Sequence, residues 1–400
     1  MSAPPPRRAP VHTHGPAPAE PAGTGLRLSP GAAARAGVVI LAVAGSLVLP
    51  LWLSTANLTV YVLTGLYAVT AVGLSLLMGY AGQVSLGQAV FFAIGAYTAA
   101  VLSLHGVPAV IALVAAPVLA AAVAAAVGVP ILRLRGHYLA FATLAFQLIV
   151  LSVISNTPFL GGGLGFTDIP PLGIGGAALT SSLGYAWLVW GVTAAVMVLS
   201  VNMIRSRPGR ALRALATSEA AAESAGVPVV RYKLTVFAIS AAYAGFAGGI
   251  YVFFIGYVAP DSFPVALSVE LVVMVVIFGL GSVWGALLGA VGVSVLVQVL
   301  NNAGTLPGMP QYMPTLLSYA AYGVILVLIM VFLPGGLLPA FRGLGEAVAR
   351  RLGRTDGPAG PGRAGAPPPA ATLARSLVSS LRLSPVKGGG KPPPEQIRRQ

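Results

Sequence analysis

The 400-residue sequence contains no cysteine. It can therefore form no disulfide, and it offers no thiolate nucleophile or thiolate metal ligand. Its four histidines, His12, His14, His105 and His137, have no acidic residue at helical spacing. No Gly-Lys-Ser or Gly-Lys-Thr sequence follows any of its glycine-rich turns, as a phosphate-binding loop would require. We therefore predict no metal site and no cofactor, and no ATP site on this chain.

Charged residues are scarce, at 8% of the chain, whereas soluble domains carry about 25%. Hydrophobic residues make up 56%, and a chain this apolar can bury its surface only in lipid. The net charge of +14 could suggest nucleic acid, but 15 of the 23 basic residues lie in the Pro- and Gly-rich ends. Nucleic-acid binders cluster such residues on a folded face. We expect a membrane protein without a nucleic-acid partner.

Basic residues are almost missing from the apolar part of the chain. Between Ala36 and Phe341 the only ones are Arg133, Arg135, Arg205, Arg207, Arg210, Arg213, Arg231 and Lys233. If the chain starts inside, an alternating trace puts all eight, and both basic tails, in the cytoplasm. This one-sided distribution is typical of a polytopic membrane protein. It predicts a multi-pass membrane protein with cytoplasmic N- and C-termini.

Apolar runs long enough to cross the bilayer occur about ten times, since a crossing needs about 20 residues. The fold class is therefore all-α, with a transmembrane domain at 36–341 between tails at 1–35 and 342–400, both expected to be disordered. A long outer loop, Thr157–Gly184, is predicted to form a stiff cap. The crossings are Ala36–Leu53, Leu58–Met78, Val84–Leu104, Pro108–Leu132, His137–Asn156, Tyr185–Ile204, Leu234–Val258, two within Leu267–Leu300, and Ser318–Leu338.

Two glycine-rich breaks interrupt apolar runs that are too long for one helix. As a single helix, Leu267–Leu300 would be about 51 Å long, far more than the bilayer core. Paired interruptions of this kind indicate an internal repeat around a transport path. Partial or re-entrant insertion of crossings eight and nine stays an alternative. The break glycines are Gly79, Gly82 and Gly87 in the first case and Gly279, Gly281 and Gly285 in the second.

The basic segment Arg205–Lys233 predicts a helix outside the membrane, over Pro208–Ala225, because Pro208 suits a first turn and Gly226 a stop. Its apolar stripe is Ala211, Leu212 and Leu215. Its polar face is Arg210, Arg213, Glu219 and Glu223. Small residues at 220–222 would let another protein approach closely, but binding to anionic headgroups fits the residues equally well.

Glu270 is the only acid inside an apolar run. Because a carboxylate there costs about 2.5–3.5 kcal/mol, it should face a wet cavity or the bundle interior. It could hold the amino group of a zwitterionic substrate, or it could be an interfacial residue a few positions past Asp261. Five further polar residues in apolar surroundings could bind a passing substrate or form helix-helix contacts. They are Gln83, Ser85, Gln88, Tyr97 and Gln147.

Four blocks of the sequence resemble the permeases of branched-chain amino acid ABC importers, in particular the LivM type. The first, Gly73–Leu102, reads GLSLLMGYAGQVSLGQAVFFAIGAYTAAVL, and the others are Leu132–Phe146, Gly209–Leu234 and Ala259–Ala290. Gln88 stands where the family commonly has His, and Gln147 where it often has Glu.

The resemblance implies a cytoplasmic helix that docks in an ATP-hydrolysing subunit through an EAA-type motif. The matching residues here are Glu219, Ala220, Ala221, Glu223 and Gly226, with Arg210 and Arg213 on the same helix. It also implies a second permease of LivH type, two ATP-binding subunits and an extracytoplasmic solute-binding protein. The resemblance therefore implies a permease subunit of the bacterial plasma membrane, not an enzyme.

Three alternatives are considered. An ABC importer for urea or another short amide fits the same residues. A secondary transporter or channel should carry more ionisable groups in the membrane than Glu270. An intramembrane enzyme would need at least two catalytic side chains at membrane depth, which we do not find.

Overall fold

A computed structural model describes residues 45–46, 48–134, 136–174, 177–278 and 280–304, and the single residues 316, 320, 323 and 324. All of these belong to one compact unit, residues 1–344. Ten α-helices occur in this part of the chain, with two strands of two residues each. The helices are α1 (Thr55–Tyr80), α2 (Gln88–Leu104), α3 (Ala109–Ile131), α4 (His137–Asn156), α5 (Ser182–Arg205), α6 (Arg207–Thr217), α7 (Glu219–Ser224), α8 (Val229–Ile255), α9 (Val265–Phe278) and α10 (Val283–Gly304), and the strands are β1 (Gly173–Ile174) and β2 (Ala177–Ala178).

Eight of these helices, α1 to α5 and α8 to α10, coincide with predicted crossings two to nine. Among the described residues, seven regions are long and apolar enough to span a membrane, and the helix α2, with 17 residues, is shorter. Of the first predicted crossing the structure describes Gly45, Ser46, Val48, a 3-10 turn, Leu49–Trp52, and Leu53. The rest of that crossing, nearly all of the tenth and both tails lie outside the described residues. The total of about ten crossings therefore stays a prediction.

Helix α8 lies at the centre of the bundle and packs against α1, α2 and α3. Its middle carries small residues because neighbouring backbones come very close there. A Cβ atom on Gly95 of α2 would overlap the backbone of Gly245, and one on Gly248 would overlap the carbonyl of Phe92. Small residues at helix crossings are the usual means of close packing in lipid. Helices α1, α2 and α3, from the N-terminal half of the chain, therefore pack against α8, from the C-terminal half.

The long loop between α4 and α5 is held to the end of α8. Phe166 and Val258 exchange backbone hydrogen bonds of 2.8 and 3.0 Å. The hydroxyl of Tyr185 donates to the Phe253 carbonyl at 2.9 Å and accepts from the Leu172 amide at 3.1 Å. The β1–β2 hairpin and two 3-10 turns, Pro158–Leu160 and Gly162–Leu164, complete the loop. These bonds anchor the loop to the end of α8 and to the start of α5.

Three helices begin clearly earlier than predicted. Helix α1 begins at Thr55 rather than Leu58, α5 at Ser182 rather than Tyr185, and α8 at Val229 rather than Leu234. Helix α2 begins later, at Gln88 rather than Val84. The early start of α8 makes Arg231 and Lys233 helical. The start of α8 was predicted too late because Arg231 and Lys233 were taken to lie outside the membrane helix. Arg and Lys side chains at a helix end can extend toward water, so they do not exclude a helix there. Pro228 precedes the first residue of α8.

Candidate functional site

The two glycine-rich breaks pack directly against each other. A Cβ atom on Gly79 would overlap the backbone of Gly281, which has a positive φ of 74°. Nearby, the Ser75 hydroxyl donates to the Ser282 carbonyl at 3.4 Å, and the Gly285 amide donates to Ser282 Oγ at 3.0 Å. Breaks that correspond in sequence are thus neighbours in space.

Gly82 and Gly87 do not take part in the contact between Gly79 and Gly281. Gly82 has a φ of 63° and open space where a Cβ would lie, so it allows the turn after α1. Gly87 lies against the carbonyl of Thr143 on α4. Gly279 falls outside the described residues.

Gln88 joins α2 to the central helix α8. Its side chain is fully buried, and Nε2 donates to both the carbonyl and the hydroxyl of Ser240, at 3.1 and 3.0 Å. Its Oε1 has no hydrogen-bond partner among the described residues. Gln88 therefore makes a helix-helix contact and keeps one acceptor unused.

Gln147 forms a second polar node, between α4 and α9. Its Oε1 accepts from the Ser268 hydroxyl at 2.7 Å, and its Nε2 donates to the Phe263 carbonyl at 3.3 Å. Ser268 Oγ in turn accepts from the backbone amide of Ala89 at 2.9 Å. Since Ala89 follows Gln88, the two glutamines belong to one buried polar cluster that connects α2, α4, α8 and α9.

Gln83 and Ser85 lie in the non-helical stretch between α1 and α2, and both are buried. Together with Thr143 they line a small void. Ser85 Oγ accepts from the Gly87 amide at 3.4 Å, and Thr143 Oγ1 accepts from the Leu86 amide at 3.0 Å. Within the described part of the chain, Gln83 Oε1 has no hydrogen-bond partner.

Tyr97 belongs to a chain of aromatic rings that the sequence did not predict. Its ring lies 6.3 Å from those of Phe166 and Phe263, centroid to centroid. Phe263 also contacts Phe92 and Tyr251, at 5.9 Å each. Because the Phe263 carbonyl accepts from Gln147, this aromatic cluster adjoins the polar cluster.

Glu270 is partly buried in the second turn of α9. It lies within electrostatic range of the Tyr67 hydroxyl on α1. The ring of Tyr67 is 6.3 Å from that of Phe92, a member of the aromatic cluster. Tyr97 thus belongs to the aromatic cluster, and Glu270 lies near Tyr67 at its edge, while Gln83, Ser85, Gln88 and Gln147 lie around the polar cluster.

An apolar groove of about 730 Å³ runs between α2, α3 and α4. Its only polar side chains are Tyr97 and Thr98, and the Thr98 hydroxyl already donates to the Ile94 carbonyl at 2.6 Å. A zwitterionic ligand needs several polar partners to leave water. The groove is therefore no candidate for the substrate site.

The predicted helix Pro208–Ala225 is in fact two helices, α6 and α7. Ser218, between them, has an extended backbone, and its hydroxyl accepts from the Ala221 amide at 3.3 Å. Serine in this geometry caps a new helix. The prediction of a single helix was wrong because Pro208 and Gly226 indicate only where the segment begins and ends, not whether it is interrupted. Gly226 ends α7 with a φ of 79°.

One face of α6 and α7 is buried and the other is exposed. Leu212 packs into the main core, and Leu215 packs in a small cluster with Ala222 and Val229. The residues left exposed are mostly small or charged. They are Arg207, Pro208, Arg210, Arg213, Ala214, Ala216, Thr217, Ser218, Glu219, Ala220, Ala221, Glu223, Ser224, Ala225 and Gly226.

Several residues of these clusters were not found by sequence reasoning. Ser240 and Ser268 are ordinary serines in apolar helices, and their partners lie 152 and 121 positions away. Tyr67 and Phe263 carry no motif. The serine in the middle of the basic segment, Ser218, was the one available signal, because serine is a common N-cap residue.

Comparison with known proteins gives the family of the chain. Residues 57–332 match the family model described as branched-chain amino acid transport system, permease component. The chain is 32% identical to the high-affinity branched-chain amino acid transport system permease protein LivM of Salmonella typhimurium, over 73% of this chain and 72% of that protein. It is also 32% identical to LivM of Escherichia coli, over 76% and 74% of the two chains.

A more distant relative is a probable branched-chain amino acid transport permease protein LivM of Methanocaldococcus jannaschii. It is 27% identical over 58% of this chain and 68% of that protein. No solved structure was found to match the chain.

Seven helical regions suited to crossing a membrane agree with this relationship, and the chain is a multi-pass protein of the plasma membrane. The match covers more than half of the sequence and nearly all of the described helices. The chain belongs to the family of permease components of branched-chain amino acid transport systems.

Proposed function

We propose that this permease carries branched-chain amino acids into the cell as one of two similar permeases of an ABC importer. A LivH-type permease, two ATP-binding subunits and an extracytoplasmic solute-binding protein are the proposed partners. The similarity to two proteins named as high-affinity branched-chain amino acid permeases supports this cargo most directly. In this arrangement the chain supplies the path and its partners supply ATP hydrolysis.

The proposed topology has about ten crossings and both termini in the cytoplasm. It is supported by the absence of Lys and Arg from the long loop between α4 and α5 and from the α8–α9 linker. Helices α6 and α7, which carry the three arginines Arg207, Arg210 and Arg213, then face the cytoplasm. The domain division at residues 35 and 342 belongs to the same proposal.

The proposed path passes the aromatic cluster and the polar cluster. Rings and aliphatic groups suit a branched apolar side chain, and Glu270 suits its ammonium group. Gln83 and Gln88 each keep a buried acceptor without a partner in the described chain, which a passing ammonium group could use. Tyr97, Ser85 and Gln147 complete the proposed lining.

The proposed docking site for the ATP-binding subunit is the exposed face of α6 and α7. Ala220 and Ala221 allow close approach, while Arg210, Arg213 and Glu223 can form polar contacts at the rim. Movement of this face would reach the path through Leu212, which is buried in the main core, and through the contact between α6 and α1. Gly79 and Gly281 lie at the end of that route and are proposed as hinges.

Docking is tested by Ala221→Trp in the full complex, with Ala178→Trp, an exposed alanine in the β1–β2 hairpin, as the matched control. Ala221→Trp should insert normally but lose the ATP-binding subunit on co-purification and abolish uptake. Full retention and full uptake would mean that the segment only lies on the membrane surface.

The cargo is tested by uptake of labelled leucine, isoleucine, valine and urea into proteoliposomes that contain the complete importer and its binding protein. Uptake of the three amino acids with no uptake of urea supports the proposal. The reverse result would favour the short-amide alternative. Uptake without ATP-binding subunits would favour a secondary transporter or channel.

A further inference from the structure

The two acids of helix α7 have different surroundings. Glu219 forms an ion pair with Lys233 in the second turn of α8. In the described part of the chain Glu223, one turn further along, is exposed and makes no ion pair. Spacing along the sequence could not distinguish these two residues, whereas their contacts do.

The ion pair is not an ordinary surface contact. The side chain of Lys233 is only 14% exposed, while that of Glu219 is 47% exposed. An ammonium group held mostly out of water needs a partner, because losing that partner leaves a poorly solvated charge. Glu219 provides that partner, and it lies at the first residue of α7, where a negative charge is also favourable.

Three further contacts hold α7 in the same place. Ser218 caps its first turn. Ala222 packs with Leu215 of α6 and Val229 of α8 in the small hydrophobic cluster. A helix of six residues has little stability of its own, so these contacts and the ion pair decide where its exposed face lies.

We propose that Glu219 is a positioning residue that fixes α7 to α8 through Lys233, and that Glu223 is the acid that contacts a basic residue of the ATP-binding subunit. This inference rests on the proposed docking site. The two acids of the EAA-type segment then have different roles: Glu219 positions the exposed surface, and Glu223 binds the partner. Ala220 and Ala221 lie between them on the presented surface.

Charge reversal with rescue tests the division. The variants are Glu219→Lys, Lys233→Glu and the pair together, expressed with the full set of subunits. Each single variant should reduce the ATP-binding subunit that co-purifies by at least about five-fold. This corresponds to about 1 kcal/mol, the upper end for exposed ion pairs, and Lys233 is mostly shielded from water. The double variant restores the pair and should recover most of that loss.

Glu223→Lys and the double variant Glu223→Lys with Lys233→Glu are the matched controls. Glu223→Lys should also weaken co-purification, but Lys233→Glu should not rescue it. Rescue of Glu223→Lys, or failure to rescue Glu219→Lys, would overturn the division. Unchanged co-purification in Glu219→Lys would overturn the positioning role.

Trypsin cleavage at Arg213 in inverted vesicles of the full chain, without ATP-binding subunits, gives a reading that does not depend on docking. Glu219→Lys should accelerate this cleavage, and the double variant should slow it again. Equal cleavage in all variants would contradict the proposal that the Glu219–Lys233 ion pair fixes α7 to α8. Loss of docking in Ala221→Trp tests the proposed function separately, so the two failures are distinguishable.

Discussion

Gly79 at the end of α1 lies against Gly281 between α9 and α10, with no room for a methyl group between the two backbones. The contact joins the two glycine-rich breaks, which lie about 200 residues apart in the sequence. Neither break can therefore move toward the other without displacing it.

Gly79→Ala is expected to separate the two breaks, because its Cβ atom would meet backbone rather than a side chain that can turn away. Overpacking of this kind costs about 1–3 kcal/mol. We expect a lower melting temperature in detergent and reduced uptake. Gly191→Ala is the control, since it lies in α5 with open space around its Cβ position, and it should be neutral or slightly stabilising. Equal stability of both variants would contradict the close approach.

Gln147→Leu removes the bonds to Ser268 and to the Phe263 carbonyl. Hydrogen bonds between membrane helices are worth about 0.6 kcal/mol on average and up to about 1.7. The free energy of unfolding should therefore fall by about 1–3 kcal/mol in a mixed-micelle denaturation series. Gln298→Leu, whose amide donates to Asn302 on an exposed turn of α10, should change it by less. A larger loss at Gln298 would contradict the polar cluster.

Glu270→Gln should reduce uptake at limiting substrate roughly ten- to hundred-fold, if the carboxylate binds the ammonium group of the cargo, because a hydrogen bond to a charged group is worth about 1.5–3 kcal/mol. The amount of permease in the membrane should stay normal. Asp261→Asn, an exposed acid before α9, should transport like the parent. Parental uptake by Glu270→Gln at both limiting and saturating substrate would return Glu270 to an interfacial role.

Single cysteines test the proposed topology, since the parent chain has none. A thiol reagent that cannot cross the membrane should label Leu164→Cys in the long loop, where the side chain is 87% exposed. It should not label Ala216→Cys in α6 until the membrane is opened. Labelling of Ala216→Cys in intact cells, with protection of Leu164→Cys, would reverse the orientation.

The positions of the spanning helices could be predicted because apolar runs of the right length are a local property. The glycine-rich interruptions of the apolar runs likewise predicted the positions of both breaks and indicated that the two form a pair. Charge was a less accurate guide to helix ends, since Lys233 lies inside α8. The prediction of a single helix over 208–225 was wrong at Ser218, where the backbone is extended and the serine hydroxyl caps a second helix.

Pairings across the bundle could not be predicted from one sequence. Nothing in the spacing of Gln88 and Ser240, or of Gln147 and Ser268, indicates that they meet. Their contact depends on how α2, α4, α8 and α9 pack, which is decided by small residues such as Gly95 and Gly245 at the crossings. The partner of Glu219 could not be predicted either, because Lys233 comes within its reach only when α8 begins as early as Val229.

The bond between Gln88 and Ser240 also sets an order of events during synthesis. Its two residues are 152 positions apart, and ribosomes add about 5–20 residues per second, so roughly 8–30 seconds separate their appearance. During that interval α2 has its buried amide without its final acceptor, and α1, α2 and α3 lack the helix on which they pack. A nascent chain that ends before α8 should therefore remain bound to the insertion machinery or be degraded, while one extended past Ile255 should be released as a stable bundle.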